Sequence, residues 1–244
     1  MKGIILAAGR GSRMRELTND RPKGMVEVAG KTLLQWQMAA LKGAGINEIY
    51  IVRGYLGDAI PYSEPTYLEN PRWESTNMVS SLLAASELLS ADDCVVSYAD
   101  IIYPAETVQR LMGGRGDIRI TYDTQWLELW QKRFADPIDD AETFRLNANG
   151  TLAEIGQKAR TVAEIEGQYM GLLYFSPQGW RRVVQTLQQL HEERVDRLDM
   201  TTMLRTVMAH TPVHAVPVDG GWFEFDGASD IDVFNEMGGY AWTR

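Results

Sequence analysis

Residues 3–26 read GIILAAGRGSRMRELTNDRPKGMV, and this stretch decides the fold. The apolar run Gly3 to Ala8 has the composition of a buried strand. It empties into a glycine-rich, basic turn, Gly9-Arg10-Gly11-Ser12-Arg13, and Arg21-Pro22-Lys23 follows. Glycines let a backbone approach a ligand closely and present N–H groups to anionic oxygens. Arginine and lysine add fixed positive charge to such a turn. The glycines alone would be explained by a tight strand-to-helix turn. The cations around them, in an acidic chain, call for a phosphate-rich ligand. Two other phosphate motifs are excluded. There is no G-x-x-x-x-G-K-[ST] around the turn, and Met14 stands where a dinucleotide fingerprint needs its third glycine.

Working outward, strands alternate with helices. Extended runs are expected at Ile4–Ala8, Glu48–Val52, Tyr67–Leu68, Asp93–Ser97 and Ile118–Tyr122. Helices are expected at Leu33–Leu41, Asn77–Leu89 and Thr107–Met112. This rhythm predicts an α/β fold: a doubly wound, mostly parallel, Rossmann-like sheet. Such sheets bind ligands at the carboxyl ends of their strands, which would gather the Gly9 turn, Asp100 and Asp123. In the second half, Asn147-Ala148-Asn149-Gly150 turns a hairpin between Thr143 and Leu152. Gln168–Phe175, Val213–Val218 and Trp222–Phe225 read as extended, and Trp180–Leu190, Met200–Ala209 and Ile231–Met237 as helical. The chain is expected to be a single domain, 1–244, with residues 124–167 as a small inserted lobe on the acceptor side.

The 244 residues carry a net charge of −9, and 45% are hydrophobic. With a pI near 4.9, nucleic-acid wrapping and an anionic membrane surface are excluded as the main business. The single cysteine, Cys94, lies in an apolar run and cannot form an internal disulfide, so a reducing cytoplasm is expected. No apolar stretch approaches the roughly 18 residues of a membrane span, and no signal-peptide pattern opens the chain. A homodimer is left open.

Acids mark a second constellation. Asp100 follows a buried strand, where it either holds a divalent metal or caps the next turn. Trp222-Phe223-Glu224-Phe225-Asp226 alternates, so Glu224 and Asp226 point the same way. Asp226 also stands where an N-cap would. A lone aspartate and an acidic pair, each at a strand end, make a magnesium site. Asp123, Trp126, Trp130, Asp140 and Glu142 offer rings and carboxylates to a small cationic group. Trp126 and Trp130 are also spaced as the core face of a helix. His191, His210 and His214 have no metal-ligand spacing.

The extended motif L-A-A-G-x-G-S-R-M with R-P-K resembles the signature of the nucleotidyltransferases that activate sugar phosphates and small phospho-alcohols with CTP, UTP or dTTP. The resemblance covers essentially the whole chain. It implies that Leu6, Ala7, Ala8, Gly9, Gly11 and Ser12 line the nucleotide. Arg13 would hold the β- and γ-phosphates, and Lys23 would bridge the α-phosphate and the acceptor. Lys158, by itself a solvated surface lysine, would contact the acceptor's phosphate. Asp100 and the E-x-D acids would share Mg2+. Base selection is expected near Trp73 to Ser80, with Thr76, Asn77 and Ser80 in the set, although Asn77 also reads as an N-cap. Thr76 to Ser81 lacks the glycine-rich run of the sugar enzymes, which points to CTP. The segments Asp140–Glu142 and Glu166–Leu172, with Tyr169, are similar to cytidylyltransferases of phosphonate biosynthesis. They imply 2-aminoethylphosphonate as acceptor. Phosphocholine and sugar 1-phosphates are the alternative acceptors. A non-catalytic nucleotide-binding module is the reading from another class, against which Arg13, Lys23, Asp100 and Asp226 all argue.

Overall fold

The structure, a computed structural model, describes residues 1–243. β1 (Lys2–Ala7) is apolar, and the chain leaves it through the basic turn and two 3-10 segments, Ser12–Thr18 and Lys23–Met25. A short ribbon, β2 (Glu27–Val28) and β3 (Lys31–Thr32), leads into α1 (Leu33–Gly43). Thr32 starts α1 with a capping box: its hydroxyl accepts from the Gln35 N–H while the Gln35 side chain accepts from the Thr32 N–H. β4 (Ile49–Arg53) and β5 (Thr66–Glu69) follow, then α2 (Met78–Leu83) and α3 (Ser86–Ala91). Next come β6 (Cys94–Tyr98), β7 (Ile101–Ile102), α4 (Ala105–Met112) and β8 (Ile118–Asp123). α5 (Trp126–Arg133) and the hairpin β9 (Glu142–Leu146) and β10 (Leu152–Lys158) precede β11 (Gln168–Phe175). α6 (Pro177–Leu187), α7 (Glu192–Asp196), α8 (Met200–Met208), β12 (His214–Val218), β13 (Phe223–Glu224) and α9 (Ala228–Glu236) follow, and a 3-10 segment, Ala241–Thr243, comes after them.

The central sheet has seven strands in the order β12-β8-β11-β6-β1-β4-β5. β11 runs antiparallel to both neighbours, and every other pairing is parallel. The expected mostly parallel, Rossmann-like architecture is therefore the observed one. Because β8 and β6 both oppose β11, they point the same way as β1, and their carboxyl ends share one edge. Helices cover both faces. One core cluster holds Ile5, Val95, Leu34 and Leu172; the other holds Ile4, Val96, Leu173 and Trp180. Alternate residues of β1 and β6 thus serve opposite faces, as the pleat requires.

Two elements depart from expectation. Residues 77–89 were expected as one helix, but the backbone leaves the helical region at Ala85 (φ −97°, ψ 13°) and two short helices result. The halves answer to different partners. The Asn77 and Val79 N–H groups bond the carbonyls of Asp196 and Leu198, whereas Ser86 receives the indole N–H of Trp180. The expected strand at Trp222–Phe225 shrinks to β13, which lies outside the main sheet and pairs antiparallel with β7. Residues 124–167 build no core of their own. Trp126, Leu129 and Trp130 join the first cluster, and Phe144, Leu152 and Ile155 the second.

Candidate active site

The basic turn is shaped by one obligatory glycine. Gly11 is left-handed (φ 67°, ψ 46°), and a Cβ there would lie 2.7 Å from the Cβ of Lys23. The turn therefore leans directly on the Lys23 stem. At Gly9 a Cβ would meet nothing within 4 Å, because the turn opens there onto a cavity. This cavity, of about 260 Å³, is lined by Leu6, Ala7, Gly9, Gly11, Ser12, Arg13, Lys23, Tyr98 and Asp100 among others. A smaller one of about 130 Å³ adjoins it through Leu6, Gly9 and Met78 and is walled by Ala8, Trp73, Thr76, Asn77 and Ser81.

The acids meet Lys23 at the same edge. Its ammonium lies 2.8 Å from Asp100 Oδ2 and 2.9 Å from Asp226 Oδ1, and Arg13 Nη2 is 3.0 Å from Asp226 Oδ1. Burial alone would lower the Lys23 pKa, but the charges of Asp100 and Asp226 outweigh it and raise the value. The β7–β13 ribbon delivers Glu224 and Asp226 to Asp100, reinforced by the Phe225 N–H bonding the Asp100 carbonyl at 2.9 Å. Asp226 is not a helix cap. Asp230 does that work, its Oδ2 accepting from the N–H groups of Asp226 and Gly227, so the Asp226 carboxylate is free for the site. Asp100, Glu224 and Asp226 can each bring one oxygen within 4.8 Å of the others. Asp100 Oδ1 is buried and has no hydrogen-bond partner among the described residues. An all-oxygen donor set with an unused lone pair suits a hard divalent cation.

Behind the acids stands Arg133, which the sequence reading missed. Its side chain is fully buried, with Nη1 3.0 Å from Glu224 Oε2 and Nε 3.0 Å from Asp230 Oδ1. Burial, then the charge of Asp226, pushes the Glu224 carboxyl up to about 8, with Arg133 working against them. Asp226 moves the other way. Burial would raise it, but Lys23, Arg13 and Arg133 hold it below the usual range.

A third cavity, of about 310 Å³, opens beside the acids and shares Arg13, Met78 and Tyr98 with the phosphate cavity. Five carboxylates line it: Asp140, Glu142, Asp199, Glu224 and Asp226. Trp130, Gln168, Tyr169, Met170, Gly171 and Thr201 contribute its neutral wall. Gly171 (φ 81°) lies at a bulge in β11, where a Cβ would strike the Tyr98 ring at 2.6 Å.

Several residues singled out in the sequence lie elsewhere. Asp123 follows its strand at the right edge, yet it is buried and committed. It accepts from the N–H groups of Gln125 and Gly220 and from the Trp222 indole, at 2.8 to 2.9 Å. It lines a separate cavity under Tyr240. Trp126 is core, packed edge-on to Trp130. Ser80 turns toward Asp196, 3.3 Å from its Oδ1, and Ser81 takes its place at the cavity wall. Lys158 ends β10 as an exposed residue paired in register with Glu142, and it lines none of the three cavities. Asn77 caps α2, its side chain accepting from the Met78 N–H, while still lining the small cavity.

Residues 3–198 match the MobA-like NTP transferase domain. The chain belongs to this family. It is a nucleotidyltransferase, and two relatives that match it over nearly their whole length are cytidylyltransferases. It is 38% identical over 250 residues to the CTP:phosphoglutamine cytidylyltransferase of Campylobacter jejuni, a match covering 96% of this chain and 98% of that one. It is 25% identical over 239 residues to the 2-aminoethylphosphonate cytidylyltransferase of Lancefieldella rimae, covering 95% and 91%. Among solved structures, CTP:phosphocholine cytidylyltransferase from Streptococcus pneumoniae superposes with a TM-score of 0.76 at 21% identity, covering 97% of this chain and 98% of that one. That last likeness is one of fold. Within this NTP transferase fold, Met78, Ser81 and Gln168 line cavities from within segments the sequence marked without their being picked out, whereas Asp199 and Thr201 line a cavity that no sequence motif had marked. Asp199 and Thr201 read as an ordinary helix start, which they also are.

Proposed function

We propose that this nucleotidyltransferase transfers CMP from CTP to a phosphoryl oxygen of a small acceptor that carries an amine, releasing pyrophosphate, in the cytoplasm. The observation that carries the reading is the joining of two unlike cavities. One is a glycine-rich phosphate turn; the other is a carboxylate-lined cavity; Lys23, Asp100 and Asp226 stand where they meet. An acceptor oxygen attacks the α-phosphorus, a new P–O bond forms, the bond to the β-phosphate oxygen breaks, and pyrophosphate leaves. Lys23 holds positive charge at the oxygens that change charge, and Arg13 together with the turn amides neutralises the departing pyrophosphate. Asp100 and Asp226, with Glu224 beside them, would hold magnesium, which supplies further positive charge to the triphosphate oxygens.

The amine requirement follows from the acidic wall. Burial first, and then neighbouring acids, raise the pKa values of Asp140 and Glu142, and Arg133 opposes the shift at Asp140. An ammonium in the cavity would relieve that repulsion. Phosphoglutamine and 2-aminoethylphosphonate, the acceptors in the names of two full-length relatives, both carry a primary amine. Phosphoglutamine comes first because its enzyme is the more similar.

The test is pyrophosphate release with CTP or UTP against phosphoglutamine, 2-aminoethylphosphonate, phosphocholine, 2-hydroxyethylphosphonate and glucose 1-phosphate. An amine-bearing acceptor with CTP should exceed the hydroxyl analogue by at least about tenfold in kcat/KM, about 1.4 kcal/mol. Equal rates for the hydroxyl analogue would remove the amine, and equal rates with UTP would remove CTP. A pH dependence accompanies this. The raised carboxyls ionise above the ordinary range, while an alkyl ammonium such as that of 2-aminoethylphosphonate stays charged to about pH 10. The preference for amine over hydroxyl should therefore grow from pH 5.5 to pH 8. A ratio that stays flat would show that these acids do not meet the acceptor.

A further inference from the structure

We propose that Lys23 is the resident cation of the acidic cluster in the nucleotide-free enzyme, and that it passes from the carboxylates to the triphosphate as nucleotide and divalent metal enter together. The Lys23 ammonium bridges Asp100 Oδ2 and Asp226 Oδ1 at 2.8 and 2.9 Å, and these residues supply two of the three clustered carboxylates. A metal held by those oxygens and an ammonium bonded to them compete for the same lone pairs and repel each other.

The charges around the cluster support the exchange. Asp100 and Asp226 each carry a negative charge, and Glu224, its carboxyl pushed up by burial, adds only part of a third. Lys23, Arg13 and Arg133 each touch at least one of them and carry three positive charges, with Arg133 shared by Asp230. A divalent ion arriving alone meets a site already matched by the protein. An ion arriving with a triphosphate brings its own compensating charge.

The place that receives the ammonium is also visible. The phosphate turn packs on the Lys23 stem at Gly11, and Gly11, Lys23 and Asp100 line one cavity. Phosphates settling in the turn come beside the ammonium and offer it new oxygens, while the aliphatic stem stays clamped. Asp100 and Asp226 are then released to the metal. The exchange orders the reaction: nucleotide and metal load as a unit, and the empty enzyme resists stray divalent ions.

The inference rests on the proposed metal dependence, and it is read by binding without turnover, so the two fail separately. The probe is Mn2+, titrated into the full chain without nucleotide and followed by electron paramagnetic resonance of the free ion. Lys23→Met should bind Mn2+ at least about tenfold more tightly than the wild type, as expected when a close charge pair is removed. Adding Asp226→Asn to Lys23→Met should abolish the gain and so place the ion in this cluster. Lys23→Arg, which keeps the charge, should stay as weak as the wild type. Lys23→Gln provides the same comparison if the methionine variant does not fold, with circular dichroism checking each. Overturning results are Mn2+ binding by a folded Lys23→Met or Lys23→Gln that is no tighter than wild type, or wild-type binding already in the micromolar range.

Discussion

Asp226→Asn should lower kcat by at least about 100-fold, close to 3 kcal/mol of transition-state stabilisation, without unfolding the protein. Asparagine keeps the size of aspartate and loses its charge. The helix that follows does not depend on that charge, because Asp230 caps it through the N–H groups of Asp226 and Gly227. What the substitution removes is the negative charge behind the oxygen that Lys23 and Arg13 share. Asp100→Asn should cost about as much, since Asp100 supplies the second oxygen under the lysine and the unused one beside it. Glu224→Gln should cost less in turnover, because Glu224 is already engaged by Arg133. The measurement is kcat at saturating CTP, acceptor and magnesium, with near-ultraviolet circular dichroism as the check on packing. Near-normal turnover in Asp226→Asn or Asp100→Asn would take these carboxylates out of the mechanism.

What could be read from the sequence was what is local. β1 and the turn after it are contiguous, so composition alone gives a buried strand, a glycine with a special backbone and nearby cations. The alternation of strands and helices likewise gives the sheet and the edge where ligands collect. Asp123 shows where that reasoning stops. The strand-end rule put it at the correct edge, but three donors consume its carboxylate, and two of them come from residues 97 and 99 positions downstream. No local pattern reveals that. The tryptophans divide in the same way. Their spacing of four gave one helix face, yet Trp126 is core while Trp130 reaches the cavity, because the rim of the cavity cuts across that face. Ser80 and Ser81 differ by one position on a helix whose rotation is set by Asp196 and Leu198, far along the chain. Arg133 had the look of a basic residue ending a helix, a common surface feature. Its acidic partners lie 91 and 97 residues away.

That buried arginine carries the largest expected effect on stability. Arg133→Met should destabilise the fold by about 3–5 kcal/mol, the usual cost of removing one partner from a buried ion pair. For a chain of this size that is roughly 6–20 °C in Tm. The guanidinium is wholly enclosed, 3.0 Å from both Glu224 and Asp230, and lies over the rings of Trp130, Phe134 and Phe223. Methionine can fill much of the space, so the loss is mainly one of charge. Two carboxylates remain, and Asp230 still accepts from two N–H donors at the start of α9. Glu224 has no such support, and its pKa is already pushed up to about 8 by burial, then by Asp226, against Arg133. Without the arginine it rises further. An acid whose pKa is higher folded than unfolded binds more protons in the folded state, so its stability contribution is lost as pH rises from the unfolded value toward the folded one. The deficit of Arg133→Met relative to wild type should therefore be larger at pH 8 than at pH 5.5. Glu224→Gln in the same chain should restore more of the loss at pH 8 than at pH 5.5, because keeping the glutamate protonated in the fold costs more the further the pH lies above its unfolded value. Urea denaturation of the three proteins at both pH values measures this. A deficit below about 1 kcal/mol, the level of an exposed pair, or one independent of pH, would mean that water reaches the Glu224–Arg133 contact in solution.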